Sequence, residues 1–228
     1  PSIETYNNIQ NKKFRCVKIV KRFNNYPLPK TKIINLNINK VKDKFISDET
    51  ILHVNTFLKK REQVLFFINT RGFAPYLICQ KCGFKQVCSN CSMYLTFHKK
   101  KNKAICHHCS LEKKINNKCK EEGDCKFIMY GPGVEKIFDE VQNIFPKNKV
   151  EIFSSDYMKK KQQTAELFNK INNNEVDILI GTQMISKGFN FPKLNCVVVI
   201  DADFSGRGYD LRTTEKNIQL YHQLSGRA

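Results

Sequence analysis

The chain has 228 residues, 41% of them hydrophobic, which is enough for one large core or two smaller ones. Its longest apolar runs, VLFFI and CVVVI, fall far short of the roughly 20 residues a membrane span needs, and its opening PSIETYNNIQ lacks a signal-peptide layout, so a soluble protein without a membrane partner is expected. Lys and Arg outnumber Asp and Glu by 39 to 21; the balance of +18 suits a polyanion, nucleic acid first among them, although coding bias in an AT-rich genome gives the same Lys- and Asn-rich composition.

In chain order, residues 2–14 have helix-forming composition, and a Pro-punctuated stretch leads to a strand expected at 32–38. Ser47 suits the N-cap of a helix over 48–61, with Ile51, Val54, Phe57 and Leu58 on one stripe. QVLFFIN, 63–69, is a continuous apolar run of the length of a strand buried on both faces. A cysteine-rich stretch follows. Beyond it, strands at 126–130, 150–154, 177–182 and 196–201 alternate with helices over 134–145, over 159–171 and from Thr213 onward. This alternation predicts an α/β fold, a parallel sheet with helices on both faces, interrupted at 78–125 by an inserted module. The chain starts with Pro1 and stops at LSGRA without a cap or tail, and reads as an excised piece.

Eight of the ten cysteines lie in the insertion, as Cys79-x2-Cys82, Cys88-x2-Cys91, Cys106-x2-Cys109 and Cys119-x5-Cys125. A Cys-x-x-Cys turn aims two thiolates at one point, and two such turns complete a tetrahedral zinc site. Four pairs therefore imply two zinc ions, structural ones, because all-thiolate coordination leaves no open position. Disulfides lack a secretory context, and three consecutive motifs exceed what redox chemistry needs. His107 and His108 are expected in solvent, with ligation as the alternative, and Cys16 and Cys196 read as buried thiols. Lys99, Lys100, Lys101 and Lys103, near Tyr94, Phe97 and His98, predict a basic tip beside aromatic rings, able to grip a phosphate backbone and stack on a base; a plain solvated loop is the alternative.

Open parallel sheets carry their working residues on loops at the carboxyl ends of strands. GTQMISKGFNFP, 181–192, leaves a strand with a hydroxyl and an amide that can bond a phosphate oxygen, and QLSGRA, 223–228, offers a guanidinium from a helix. Gly-Pro-Gly at 131–133 lacks the third glycine of a dinucleotide fingerprint and reads as a turn.

In order along the chain, PSIET, QVLFFINTRGFAP, the cysteine insertion, DILIGTQMISKGFNFP, DLRTTEKNIQLY and QLYHQLSGRA resemble, from end to end, the primosomal replication-restart DNA helicases (the PriA or primosomal protein N′ family) of helicase superfamily 2. The insertion sits directly after the fourth helicase motif, as in that family. The resemblance implies a RecA-like second motor lobe at 47–77 and 126–228, preceded at 1–46 by the end of the first lobe and a linker, with the zinc-binding insertion at 78–125. It implies an ATP-driven 3′ to 5′ helicase of branched forks and single-stranded DNA, with other primosome proteins and single-strand-binding protein as partners. It also implies a cytoplasmic, nucleoid-associated bacterial setting, or an organelle of a eukaryote with an AT-rich genome.

The family's zinc sites are nested, which assigns Cys88, Cys91, Cys106 and Cys109 to one ion and Cys79, Cys82, Cys119 and Cys125 to the other. The last pair departs from Cys-x-x-Cys, leaving Glu122 as the alternative to Cys125. Thr182, Gln183 and Arg71 are implied to contact DNA, as the lysine tip would. Gly188 and Asn190 would face the ribose of ATP, bound with Mg2+ in the intact enzyme. Arg227 would reach the triphosphate, and Gln223, which opens the same motif, joins it as a catalytic residue. No phosphate loop and no Asp-Glu-x-His motif occurs in the chain, so this piece alone is expected to bind zinc and DNA without hydrolysing ATP. The departures at Glu122, Asn190 and Val134 give the alternative some support: a zinc-stabilised nucleic-acid-binding or adaptor protein without a motor.

Overall fold

The computed structural model describes residues 1–18, 29–36, 38, 44–69, 76–79, 81–99, 101–114, 127–155, 157–158, 161–186, 191–202 and 212–226. At its centre lies β1 (Gln63–Phe67), every residue of which is buried. It pairs in parallel with β8 (Ile178–Gly181) on one side and β9 (Leu194–Val199) on the other, and β7 (Val150–Phe153) adds to β8. The resulting four-stranded order is β7-β8-β1-β9. The uninterrupted apolar run of β1 follows from its central place, since both faces must be covered.

Alternate residues of β1, and Ile68 just after it, serve two cores. Val64, Phe66 and Ile68 meet Ile178 and Ile180 together with Val54 of α2 (Asp48–Leu58) and Val134, Ile137 and Val141 of α3 (Val134–Ile144). Leu65 and Phe67 point the other way, to Phe153, Leu179, Ile171 of α4 (Lys161–Asn172), and Leu220 and Leu224 of α5 (Thr213–Ser225). A RecA-like second-lobe sheet with helices on both faces is thus in place.

Local chemistry sets the helix starts. Ser47 Oγ accepts from the Thr50 amide at 3.2 Å and caps α2, an interaction of about 1 kcal/mol. The Glu140 carboxylate, on α3, accepts from the amides of Phe45 and Ile46, each at 3.0 Å, and so fixes the entry to α2. Burial raises the pKa of Glu140 while those amides oppose the rise. The turn before α3 places Gly131 at φ +90°, where a side chain would be strained. At the amino end, α1 (Ile3–Gln10) lies along α5: the Ile3 amide donates to Glu215 at 3.0 Å, Gln219 donates to the Pro1 carbonyl at 3.0 Å, and Arg212 pairs with Glu4.

Two expectations are corrected. Residues 32–36 and 38 form no strand, and Ile33 and Ile38 are largely exposed, so their apolar side chains gain no cover that would favour one. The run at 126–130 yields β6 (Phe127–Tyr130), which joins β2 (Tyr76–Cys79) in a separate antiparallel ribbon rather than the parallel sheet. An apolar tetrad carries no information about which neighbour it pairs with. That ribbon leads into a small antiparallel sheet of β3 (Thr96–His98), β4 (Lys103–Ile105) and β5 (Glu112–Lys113).

Candidate metal centre and sheet-edge site

The cysteine turns repeat one backbone design. In each, the first cysteine's carbonyl accepts from the amide four residues on, and its amide donates to the carbonyl five residues on. Gly83 and Phe84 serve Cys79, Ser92 and Met93 serve Cys88, and Ser110 and Leu111 serve Cys106, at 2.7–3.1 Å. The fourth residue has positive φ in all three, +73°, +58° and +61°. Reversing the chain this tightly leaves both thiols of a pair on the same side.

Two of these turns face each other. The Sγ atoms of Cys88, Cys91, Cys106 and Cys109 all lie within 4.8 Å of one another, with Cys88–Cys109 at 3.5 Å and Cys91–Cys106 at 3.4 Å. A tetrahedral zinc with bonds of about 2.3 Å separates its sulfurs by about 3.8 Å, so the donor set and its size fit that ion. Thiols this close resist joint ionisation. The Leu111 backbone hydrogen bond leads the effects that draw Cys109 down to about 6, whereas Cys91 rises to about 12: the Met93 backbone hydrogen bond opposes the rise, and desolvation and the neighbouring thiols drive it. A bound cation removes the conflict by holding all four as thiolates.

Cys79 is buried and Cys82 exposed in a third turn of the same design, with the Cys82 amide donating to Cys79 Sγ at 3.5 Å. Their expected partners Cys119 and Cys125, and Glu122, lie outside the described residues. His107 and His108 are exposed, and His107 Nε2 lies 2.9 Å from His98 Nε2. Cys196 is half-buried, its thiol pushed up to about 11 by desolvation, while Cys16 is exposed, contrary to its expected burial.

The lysine tip differs from expectation in its surroundings. Lys99 pairs with Asp139 of α3 at 2.8 Å, tying the module to the sheet domain, and Lys101 and Lys103 share Glu112 at 3.0 and 2.8 Å. Hydrogen bonds from Lys103 and then Lys101 hold the Glu112 carboxyl down at about 2. Phe97 and His98 are buried and do not flank an open tip: Phe97 fills the module's small core, and the His98 ring lies against His107. Lys100 lies outside the described residues. The carboxylates of Asp139, Glu112 and Glu135, the last accepting from Tyr157 at 3.0 Å, carry no local sequence signal, since their partners lie 9 to 40 residues away.

At the carboxyl edge of the sheet, Gly181 ends β8 and Thr182, buried, donates its amide to Phe153 at 3.4 Å. Gln183, exposed, opens a 3-10 turn, Gln183–Ser186, whose Ile185 amide donates to the Thr182 carbonyl at 3.0 Å. Ile185 shares a core with Leu220 and Leu224, so this turn and α5, which carries exposed Gln223 in its last turn, lie against each other. Thr182, Gln183 and Gln223 thus belong to neighbouring elements. Arg71, Gly188, Asn190 and Arg227 lie outside the described residues. A cavity of about 500 Å³ lies elsewhere, between Lys99 and α3, β7 and α4, lined in part by Glu135, Asp139, Tyr157 and Glu166.

Residues 100–228 match the family model described as helicase conserved C-terminal domain. Over its whole length the chain is also similar to replication restart proteins PriA: 42% identical to that of Rickettsia felis, 33% to that of Haemophilus influenzae and 28% to that of Bacillus subtilis. It covers 36%, 31% and 29% of those proteins, and so spans about a third of the length of the curated relatives it matches. With its parallel sheet, its edge turn set against α5 and its second half matched to that model, the chain belongs to the helicase conserved C-terminal domain family.

Proposed function

We propose that the chain is the second motor lobe and zinc module of an ATP-dependent helicase that moves 3′ to 5′ on single-stranded DNA and acts in replication restart and primosome assembly. The observation that carries this reading is the alignment of 100% of the chain, cysteine insertion included, with proteins named for replication restart. The sheet edge supports it chemically: Gln183 is exposed beside α5, where its side-chain amide can bind a phosphate oxygen.

In this reading Thr182, Gln183 and Arg71 contact the DNA backbone, with Lys99, Lys100 and Lys101 adding charge. Gly188 and Asn190 face the ribose of ATP, which binds with Mg2+ between this lobe and another. Arg227, with Gln223 one turn earlier, stabilises charge on the transferred phosphoryl group. Cys88, Cys91, Cys106 and Cys109 hold one structural zinc, and Cys79 and Cys82 hold a second with Cys119 and Cys125. Branched forks, primosome proteins and single-strand-binding protein are the partners, in the bacterial cytoplasm at the nucleoid. Among the described residues no helix is long and apolar enough to cross a membrane.

In the full-length protein, Arg227→Ala is expected to lower DNA-stimulated ATP hydrolysis at least about tenfold while single-strand binding persists. Unchanged turnover would remove Arg227 from the mechanism, and absence of any DNA-stimulated hydrolysis in the parent would remove the motor.

A further inference from the structure

The β2–β6 ribbon carries a surface that the proposed motor does not use. Its register sets Tyr76 opposite Tyr130 and Ile78 opposite Ile128, so these four side chains share one face; Leu77, Met129, Cys79 and Phe127 take the other. On that second face Leu77 and Cys79 are buried in the module, while Met129 at its outer end is 39% exposed. On the first face Tyr130 is 53% and Ile128 40% exposed. Bridges from Ile78 to Lys85 and from Val87 to Tyr94 widen it. Tyr94 meets the Tyr76 ring edge to face at 5.2 Å, and Lys85 Nζ lies 5.0 Å from the Tyr76 ring centre and 5.4 Å from that of Tyr94.

The exposed Tyr130, Ile128 and Lys85, backed by the half-buried Tyr76, Tyr94 and Ile78, suit a partner that is aromatic and anionic at once. We propose that this face is a stacking platform for single-stranded nucleic acid, with a base lying on Tyr130 and Lys85, seated over the Tyr76 and Tyr94 rings, meeting the adjoining phosphate. Stacking on a ring tolerates any base, as translocation along a strand requires. An apolar sheet face also suits a protein partner. The chain's charge of +18 and the lysine seated over two rings decide for the polyanion. The Asp201 carboxylate, whose field reaches Tyr76, lies past the end of β9 and not on the ribbon.

This inference rests on the nucleic-acid part of the proposed function and adds a site that neither Gln183 nor the lysine tip provides. Its test is fluorescence anisotropy of a labelled oligothymidylate of about 20 nucleotides with the zinc-loaded full-length protein at several salt concentrations. Tyr130→Ala is expected to weaken binding about tenfold and Tyr130→Phe by less than about twofold, with zinc content and melting temperature unchanged. Lys85→Gln is expected to lower the salt slope by about 0.7. If the parent does not bind the strand, the nucleic-acid reading itself falls. If the parent binds and both Tyr130→Ala and Tyr130→Leu bind equally well, the platform alone is overturned and the face is left to a protein. Photo-crosslinking of the parent to a strand carrying 5-iododeoxyuridine serves where a variant does not fold: adducts on Tyr76, Tyr94 or Tyr130 support the platform, and adducts confined to other residues refute it.

Discussion

Gly181 connects packing to the strand contact proposed for Gln183. A Cβ there would sit 3.1 Å from two Ile185 side-chain atoms and 3.2 Å from Leu65 Cδ1, tighter than ordinary contact, so the absence of a side chain lets the 3-10 turn fold back onto β8. Gly181→Val is expected to cost about 1–3 kcal/mol by overpacking and to displace Gln183, lowering the denaturation midpoint and single-strand affinity together. Phe66, fully buried in β1, is a purely structural contrast: Phe66→Ala is expected to cost about 3–5 kcal/mol in chemical denaturation. Glu112 has its folded-state pKa depressed to about 2 by Lys103 and Lys101. A depressed carboxylate stabilises the fold above its ordinary pKa, and that stabilisation is lost as pH falls toward the folded value. Replacing Lys103 with Gln should raise the Glu112 midpoint in an NMR titration; because both partners are solvent-screened, melting at neutral pH should barely change.

At the scale of the element, the cysteine module and the sheet are held by different forces. Among the described residues the module's buried side chains are few, Leu77, Leu95, Phe97, His98, Ala104 and Ile105 with the cysteines, a small core to fold on its own. A bound metal would therefore supply folding free energy there, while β1, β8 and their helices are covered on both faces without it. A strong chelator is expected to remove about two zinc ions per chain and to expose the amides of β3 and β4 to hydrogen exchange, leaving those of β1 and β8 protected. A release near one ion would show that the Cys79–Cys82 turn lacks its partners, and simultaneous loss of protection in β1 would show that the two units are not separable.

At the scale of the whole molecule, the module touches the sheet domain through Lys99 and Asp139, an exposed pair. Such a pair contributes about 0–1 kcal/mol, so its use is orientation more than stability. Lys99→Glu, which sets like charges against each other, is expected to leave the melting temperature within a few degrees while raising small-angle scattering dimensions; unchanged dimensions would show that the ribbon alone fixes the module's position.

The sequence by itself determined the α/β class, the presence of the helices though not the ends of the first two, the central strand and the thiol turns, because periodicity, caps and Cys-x-x-Cys spacing are local properties that a few neighbouring residues enforce. QVLFFIN could be read as doubly buried from composition alone, and Ser47 as a cap from its position. Only the tertiary structure decided that β6 leaves the parallel sheet for β2, that Lys99 finds Asp139 and Lys101 finds Glu112, that Phe97 turns inward, and that Tyr76, Tyr94 and Tyr130 share a face with Lys85. The reason is physical: strand partners and ion pairs are chosen by proximity across long stretches of chain, and nothing in a tetrapeptide or a lone lysine encodes what the completed fold will bring beside it.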